Sequence, residues 1–389
     1  MDKSSWPIVS KNEIKIINQV LSSNNLNYWT GKNCTRFEKN FSKLFNIKYS
    51  ISLANGSVGL DIALKALNLK KNSEVIVTPR SYISSVTSVV NQNLKPVFAD
   101  IDPNSQNIEA NTIEKKITKK TKALVVVHLA GMPANMRNII KIARKNKLKI
   151  IEDCSQAHGA MIDNKFVGSF GDISVWSFCN DKILNTLGEG GVVATRKFKY
   201  YKKMWSLKDC GKNYLKLRNR KKKTRFRWVH DTEGTNLRMT EVQAAVGSYQ
   251  LTQLKKWVKM RNLNAKKILN TVHKFKSIKV QKIPKNFYHS YYRLYINLNF
   301  DYIKKNFNRD KVIYFLNKKG IFCDVGSCPE IYKEKYIISK KFGLKKSLKF
   351  ANLIGNSCIS FKVHPNIYIK DLNSKMQILK NFLEKITIN

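Results

Sequence analysis

The sequence has few acidic residues for its 389-residue length. Asp and Glu number 26 against 72 Lys and Arg, so the formal net charge is +46 and the pI is about 10.0. Such a charge favours anionic partners: phosphates, nucleotides, nucleic acid or membrane surfaces. The basic residues are spread along the chain among Asn and Ile, and no helix-turn-helix or RNA-binding signature accompanies them. We therefore expect no nucleic-acid partner, because a nucleic-acid footprint clusters on one face.

One basic cluster stands out from this spread, at residues 216–227. Its aromatic neighbours are Tyr214, Phe226 and Trp228. A charge run of this kind is typical of a solvated, mobile loop. The alternative is that it steers an anionic substrate.

Paired cysteines and long apolar runs are also absent. The seven cysteines are odd in number and irregularly spaced, and no CxxC pair occurs. This pattern excludes a zinc ribbon or a disulfide framework, predicts no metal site, and indicates reduced thiols. No apolar run approaches the roughly 20 residues of a membrane span, and the N-terminus lacks the apolar region of a signal peptide. We therefore expect a cytoplasmic protein with no membrane partner.

The remaining composition, 43% hydrophobic and 11% aromatic, is typical of a globular chain long enough for two domains. Short apolar runs alternate with helical patterns, which predicts an α/β fold with a mostly parallel sheet covered by helices. The predicted strands are 49–53, 74–77, 96–99, 123–128, 149–151, 173–178 and 192–195. The main predicted helices are 10–21, 37–45, 83–91, 136–146 and 239–268. We predict a large domain at 1–255 and a smaller α+β domain at 256–389.

The most informative segment follows the predicted strand 173–178. It delivers Ser177 and then Lys182, before a glycine turn at 188–191. Open α/β sheets place their ligands at the carboxyl ends of strands. A lysine held in such a site loses its proton more easily and forms a Schiff base with an aldehyde. A surface lysine on a strand–helix loop is the alternative that this segment alone leaves open.

Two further strand ends carry groups that suit one aldehyde cofactor. Gly56 and Ser57 follow a strand and open a helix, which is a phosphate cradle or an ordinary helix start. Ser177 offers a second hydroxyl to the same phosphate. Asp153 ends another strand, where a carboxylate keeps a pyridine nitrogen protonated, and Gln156 follows to bond the phenolic oxygen of the ring. A helix cap or a metal ligand is the alternative for Asp153.

Two more sites complete the pattern. Tyr82 follows the strand 74–77 and is placed to stack on a flat ring, with a buried core tyrosine as the alternative. Asn236 and Arg238 precede the long predicted helix, where each alone would be an ordinary cap. A phosphate turn, a stacking aromatic, an aspartate and a lysine on successive strand ends together describe a site for pyridoxal 5'-phosphate (PLP).

The chain resembles the DegT/DnrJ/StrS family of PLP-dependent nucleotide-sugar aminotransferases. The likeness runs from the loop at 27–31 to residues 363–365, nearly the whole chain. It is carried by Pro-Val-Phe-Ala-Asp-Ile-Asp at 96–102, His-Leu-Ala-Gly at 128–131, Glu152-Asp153 with His158-Gly159, Gly-Ser-Phe-Gly-Asp at 168–172, Ser177 with Lys182 and Gly-Glu-Gly-Gly at 188–191, and Asn-Leu-Arg-Met-Thr-Glu-Val-Gln at 236–243. It implies PLP-dependent transferase fold type I, the aspartate-aminotransferase-like fold, with a seven-stranded sheet.

The resemblance also implies the roles of single residues. Lys182 would be the lysine of the internal aldimine and Asp153 the partner of the pyridine nitrogen. The other implied cofactor ligands are Gln156 at the phenolic oxygen, Tyr82 as the stacking residue, Gly56, Ser57 and Ser177 at the phosphate, and Asn236 from the second subunit of a homodimer. The regions at 289–293 and 327–330 and His364 resemble borders of the sugar-nucleotide pocket.

The implied reaction is a ping-pong transamination. An amino donor, L-glutamate, gives its amino group to a keto sugar carried on a nucleoside diphosphate. A related dehydratase branch carries histidine where this chain has Lys182, so the lysine argues against it, whereas a cyclitol aminotransferase stays open. The chain departs from the family at Asp181, where a small residue is usual, and in a longer Lys-rich stretch before Asn236. Both departures leave the substrate open.

Overall fold

The structure is a computed structural model that describes residues 6–218, 226–367 and 369–388. The cluster predicted as a mobile loop at 216–227 falls mostly outside these residues. The α-helices of the described part are α1 (Lys11–Ser22), α2 (Asn33–Phe45), α3 (Gly56–Leu67), α4 (Ser84–Asn91), α5 (Ala110–Glu114), α6 (Met136–Lys145), α7 (Phe198–Lys208), α8 (Tyr214–Arg218), α9 (Glu241–Val272), α10 (Arg309–Lys318), α11 (Lys335–Ser339), α12 (Lys349–Ser357) and α13 (Ile369–Ile386).

The strands form three sheets. In chain order they are β1 (Tyr49–Leu53), β2 (Glu74–Val77), β3 (Lys95–Phe98), β4 (Thr121–Val127), β5 (Lys149–Asp153), β6 (Met161–Ile162), β7 (Lys165–Phe166), β8 (Ile173–Ser177), β9 (Gly191–Thr195), β10 (Ile278–Val280), β11 (Phe287–Tyr288), β12 (Leu294–Leu298), β13 (Cys323–Asp324) and β14 (Cys358–Phe361).

The largest sheet has seven strands in the order β1-β9-β8-β5-β4-β2-β3. All of its pairings are parallel except those of β9, which runs antiparallel to both β1 and β8. This confirms the predicted α/β class with a mostly parallel seven-stranded sheet. Because β9 is antiparallel to its neighbour β8, the segment from 178 to 190, which carries Lys182, connects two adjacent strands. The alternative of a loop between a strand and a helix, which the sequence left open, does not apply.

Strand β4 shows why this sheet needs helices on both faces. Successive side chains of a strand point to opposite faces. Ala123 and Val125 pack in a core with α3 and α4, whereas Leu124 and Val126 pack in a second core with α6. All four are fully buried, so the continuous apolar run is that of a strand covered on both faces.

Helix α9 connects this sheet to the C-terminal part of the chain. Its residues up to Val258 pack with α2 and the strand ends of the large sheet. From Ala265 onward they pack with a four-stranded antiparallel sheet, ordered β10-β12-β14-β13, and with α13. The predicted domain boundary at 255 falls inside this continuous helix, and its position stays a prediction.

Several elements were not predicted from the sequence. Helix α7 and the hairpin β6–β7 have no counterpart among the predicted elements, and the helix predicted at 239–268 ends at Val272. Within the described residues, every helix is too short or too polar to cross a lipid bilayer.

Candidate active site

A cavity of about 920 Å³ opens at the carboxyl edge of the large sheet. Its floor comes from residues that follow or end β1, β2, β4, β5 and β8, and its far wall comes from the C-terminal part of the chain. The lining residues include Gly56, Ser57, Ser81, Tyr82, Asp153, Gln156, Ser177, Asp181, Lys182, Glu189, Tyr292, Arg293, Tyr295, Asp324 and Ser327. The structure thus brings together seven of the eight predicted site residues.

The first part of the cavity is the start of α3. Asn55 caps this helix, with its Oδ1 atom 3.0 Å from the backbone nitrogen of Val58. The N–H groups of a first helical turn lack acceptors within the helix, and the helix dipole favours an anion there. A Cβ atom on Gly56 would lie 2.7 Å from Cβ of Ser177. Only glycine therefore lets the helix start approach the Ser177 hydroxyl this closely.

The second part is a nearly buried carboxylate, Asp153, at the end of β5. Ser85 donates to its Oδ2 atom at 3.0 Å, and the backbone N–H of Ser155 donates to Oδ1 at 3.1 Å. Gln156, also buried, accepts at Oε1 from the backbone nitrogen of Ala130 at 2.8 Å. That bond fixes the amide and leaves its NH2 group, a donor, for a ligand.

Tyr82 and Asn236 are placed differently. Tyr82 lines the cavity but is 67% exposed, so it forms an edge of the opening and is not the buried core tyrosine of the alternative interpretation. Asn236 is exposed and does not line this cavity. Its Oδ1 atom accepts from the backbone nitrogen of Arg238 at 3.3 Å, and Arg238 pairs with the buried Asp209 at 2.7 Å.

Lys182 lines the same cavity as Asp153, with 16% of its side chain exposed. Its Nζ atom is 3.4 Å from the Tyr292 hydroxyl and 3.4 Å from Oδ1 of Asp181. The Tyr292 hydroxyl in turn donates to Oδ2 of Asp181, and Arg293 approaches the same oxygen at 3.6 Å.

These contacts decide the charges of the group. Burial alone would lower the pKa of Lys182, but the contacts with Tyr292 and Asp181 outweigh it and raise the pKa. Burial opposes the charge of Asp181 as well, yet Lys182, Tyr292 and Arg293 lower its pKa. Burial raises the pKa of Tyr292. The group is therefore an ammonium, a neutral phenol and a carboxylate. The expectation that this lysine loses its proton more easily is wrong for the cofactor-free chain, because Tyr292 and the neighbouring carboxylate together outweigh the effect of burial.

The loop that carries Lys182 is also held from outside the cavity. The indole nitrogen of Trp6 donates to the backbone oxygen of Lys182 at 2.8 Å. The ring of Trp6 meets that of Trp257 edge-on, and the guanidinium of Arg261 lies over it, 4.9 Å from the ring centre. The N-terminal segment thus fixes the backbone of the lysine.

Beneath the cavity, Glu152 organises the loop that precedes β8. Its two oxygens accept from the backbone nitrogens of Gly168, Phe170 and Gly171, at 2.8, 2.8 and 2.5 Å. His128 bonds the same carboxylate at 3.1 Å. With Cys154 nearby, these side chains form a group of metal-ligand types, but three backbone donors already occupy the carboxylate.

Sequence reasoning missed three contacts in this site. Ser85 holds Asp153, Tyr292 holds Lys182 and Asp181, and Trp6 holds the lysine backbone. Ser85 follows Tyr82 by one helical turn, so a polar residue on that face was a usable signal. The other two contacts join residues 110 and 176 positions apart, and no sequence spacing points to them.

Comparison with known proteins identifies the family of the chain. The model of the DegT/DnrJ/EryC1/StrS aminotransferase family matches residues 7–380. GDP-perosamine synthase of Escherichia coli is 32% identical over 85% of this chain and 86% of its own length. A dTDP-3-amino-3,6-dideoxy-alpha-D-galactopyranose transaminase of Aneurinibacillus thermoaerophilus is 37% identical over 58% of this chain and 59% of its own length.

A solved structure covers the chain almost completely. An aminotransferase from Psychrobacter cryohalolentis matches with a TM-score of 0.96 at 39% identity, over 98% of this chain and 99% of that one. This match confirms the predicted PLP-dependent transferase fold type I. The family model and these relatives lead to one conclusion: the chain belongs to the DegT/DnrJ/EryC1/StrS aminotransferase family.

Proposed function

We propose that the protein is a PLP-dependent aminotransferase that moves an amino group from L-glutamate to the keto group of a nucleotide-linked deoxysugar. The observation that carries the proposal is that Lys182 and Asp153 line one cavity, together with the Gly56–Ser57 helix start. An aldehyde, a pyridine nitrogen and a phosphate need these three kinds of partner. The names of relatives include GDP-, dTDP- and UDP-linked compounds, which supports a nucleotide sugar and leaves its base open.

The residues fit this cofactor. The glycine at 56 keeps the space between the helix start and Ser177 free of side-chain atoms, so a phosphate has N–H groups and hydroxyls to bind. Asp153 is held by two donors and lies almost entirely out of solvent, as a carboxylate that pairs with a ring N–H must be. In this proposal Tyr82, at the edge of the cavity, would cover one face of the ring. When bound, PLP supplies an electron sink for charge at the reacting carbon.

In this proposal Lys182 has two tasks. Its Nζ atom would hold the aldehyde of the cofactor, and as a free amine it would accept and return a proton at the substrate carbon. The amine must be neutral for both tasks, so the proton that Asp181 and Tyr292 stabilise has to leave first. Asp153 would keep the ring nitrogen charged and would not itself carry a proton.

We place Asn236 in the active site of a second copy of the chain. It is exposed and lies outside the cavity of its own chain, so it fits the homodimer that the family resemblance implies. Large apolar side chains are exposed near it in the chain, at Phe226 and Trp228. Sedimentation velocity tests this: a monomer at micromolar concentration with full activity would refute it.

The central test is chemical. Protein incubated with PLP should become coloured, and borohydride reduction should fix the cofactor to Lys182, located by peptide mass spectrometry. Lys182→Ala should lose both the fixation and turnover of keto sugar nucleotides with glutamate, by at least about 100-fold. Lys145→Ala is the matched control, because Lys145 forms an exposed ion pair with Glu114. Fixation of the cofactor elsewhere, or full activity of Lys182→Ala, would refute the proposal.

A further inference from the structure

Asp181 is a charged residue of the cavity, next to Lys182 in the chain, whose role the proposed reaction leaves open. Its side chain is 45% exposed, and its two oxygens face different partners. Oδ1 is 3.4 Å from Nζ of Lys182, whereas Oδ2 accepts the Tyr292 hydroxyl and lies 3.6 Å from Arg293. One carboxylate therefore joins the lysine loop to the segment that leads into β12.

Tyr292 closes this arrangement from the other side. Its hydroxyl accepts from Lys182 and donates to Asp181, so the three groups form a triangle of hydrogen-bonding and ionic contacts. Its ring is also near the ammonium, 4.8 Å from Nζ to the ring centre. The backbone of Tyr292 is fixed independently, because Arg261 donates to its carbonyl at 3.2 Å.

Other charged and titratable groups surround the triangle on several elements. Those that interact with Lys182 are Asp181 and Cys179 on its own loop, Tyr292 before β12 and His158 after β5. Those that interact with Asp181 but not directly with the lysine are Arg293 before β12 and Arg261 on α9. Asp181 is thus the one carboxylate among these described groups, and it alone supplies negative charge.

We propose that Asp181 and Tyr292 are positioning residues for Lys182: together they hold its amine at the cavity and keep it charged until the cofactor binds. The assignment rests on the proposed role of Lys182. A carboxylate beside an ammonium favours the charged form, and the phenol fixes the carboxylate where it acts. Because Asp181 is half exposed, its carboxylate also connects the buried amine to solvent, where the released proton can go.

The test uses the reactivity of the amine in the cofactor-free full-length protein. Acetic anhydride reacts with neutral amines only, so the labelling rate of Lys182 against pH, measured by peptide mass spectrometry, reports its charge. Asp181→Asn keeps the size of the side chain and removes the charge. An opposite charge at this distance shifts a pKa by about 1–3. Because the carboxylate is 45% exposed, solvent weakens its effect and we expect a shift of about 1, so that labelling of Lys182 at pH 8 rises about tenfold.

Two further variants separate positioning from damage to the fold. Tyr292→Phe removes the hydroxyl but keeps the ring, and should raise labelling at pH 8 about threefold, the value of one hydrogen bond. Asp324→Asn is the matched control, because Asp324 is also a half-exposed carboxylate of the cavity but contacts Arg293, at 4.0 Å. It should change the labelling of Lys182 by less than about twofold.

The shape of the pH profile distinguishes the loss of the carboxylate charge from a loosened fold. Loss of the charge moves the midpoint to lower pH and leaves the limiting rate at high pH unchanged, whereas a loosened fold raises the limiting rate. An unchanged midpoint in Asp181→Asn, or an equal shift in Asp324→Asn, would overturn the proposal. Since no PLP is present, failure here is distinct from failure of the proposed function, which would show as absent borohydride fixation in the wild type.

Discussion

Replacing Glu152 by glutamine should destabilise the protein, although the side chains have the same shape. Glu152 is fully buried, and its Oε1 atom accepts from the backbone nitrogens of Phe170 and Gly171. Its Oε2 atom accepts from the backbone nitrogen of Gly168 and contacts His128. Glutamine has only one such oxygen. In its best orientation this oxygen still accepts from Phe170 and Gly171, and the NH2 group then faces the N–H of Gly168.

The cost follows from the count of bonds. The N–H of Gly168 loses its acceptor, and so does Nε2 of His128, which carries the ring proton because Nδ1 accepts from the backbone nitrogen of Ala134. Each buried N–H without an acceptor costs about 1–3 kcal/mol, and the two retained bonds weaken because their acceptor is no longer charged. We take about 3 kcal/mol in all. An unfolding entropy of about 2.1 cal/mol/K per residue gives about 0.8 kcal/mol/K for 389 residues. Glu152→Gln should therefore lower the melting temperature by about 4 °C if the chain unfolds as one unit.

Calorimetry of the cofactor-free protein measures this shift. Glu114→Gln is the control, since Glu114 is exposed and its ion pair with Lys145 at 3.3 Å is a surface contact, worth about 0–1 kcal/mol. Equal melting temperatures for the two variants would refute the view that Glu152 holds the loop by accepting backbone hydrogen bonds.

Two other predictions concern acid and the phosphate cradle. Burial lowers the pKa of both His158 and His289 to about 3, from 6.5, so the unfolded chain binds more protons below pH 6.5 and stability is lost as the pH falls. The loss is about 4 kcal/mol for the pair between pH 7 and pH 5, and His289→Gln should remove about half of it in thermal melts at the two pH values. Gly56→Ala should weaken PLP binding at least about tenfold, measured by titration of the visible absorbance. The Cβ atom of the new alanine would lie 2.7 Å from Cβ of Ser177 and would push apart the helix start and the serine that are proposed to bind the phosphate. An unchanged affinity would contradict this phosphate site.

The sheet was predictable because its signals are local. An apolar run such as that of β4 is long enough to fix a buried strand by itself, and helices between such runs imply parallel pairing. The direction of β9 was not predictable in this way. It depends on how the segment from 178 to 190 turns back, with Ser177 opposite Gly191, and that turn is built from contacts with α9 and the N-terminus.

The candidate site likewise has one part that local sequence signals predict and one part that only tertiary contacts create. Lys182, Asp153 and Gly56 each follow a strand in the sequence, and parallel strands bring their carboxyl ends to one edge. The positions of these residues after predicted strands therefore predict that they lie at one edge of the sheet. The triangle of Asp181, Tyr292 and Lys182 joins the loop after β8 to the segment before β12, and its members are up to 111 positions apart. Tertiary packing alone creates it.

The charge of the chain and the charge of the cavity have opposite signs, which limits how the excess of +46 can act. Among the described residues that line the cavity, two are basic, Lys182 and Arg293, whereas five are acidic: Asp153, Asp181, Glu189, Asp324 and Glu334. In the proposed function an anion inside the cavity would therefore be held by helix N–H groups and hydroxyls, which carry no net charge. The basic surface lies outside, where it attracts anions over a distance set by salt. In the proposed reaction the positive bias would therefore act on the approach of the nucleotide sugar, whereas the chemistry at Lys182 would depend on individual carboxylates such as Asp153 and Asp181.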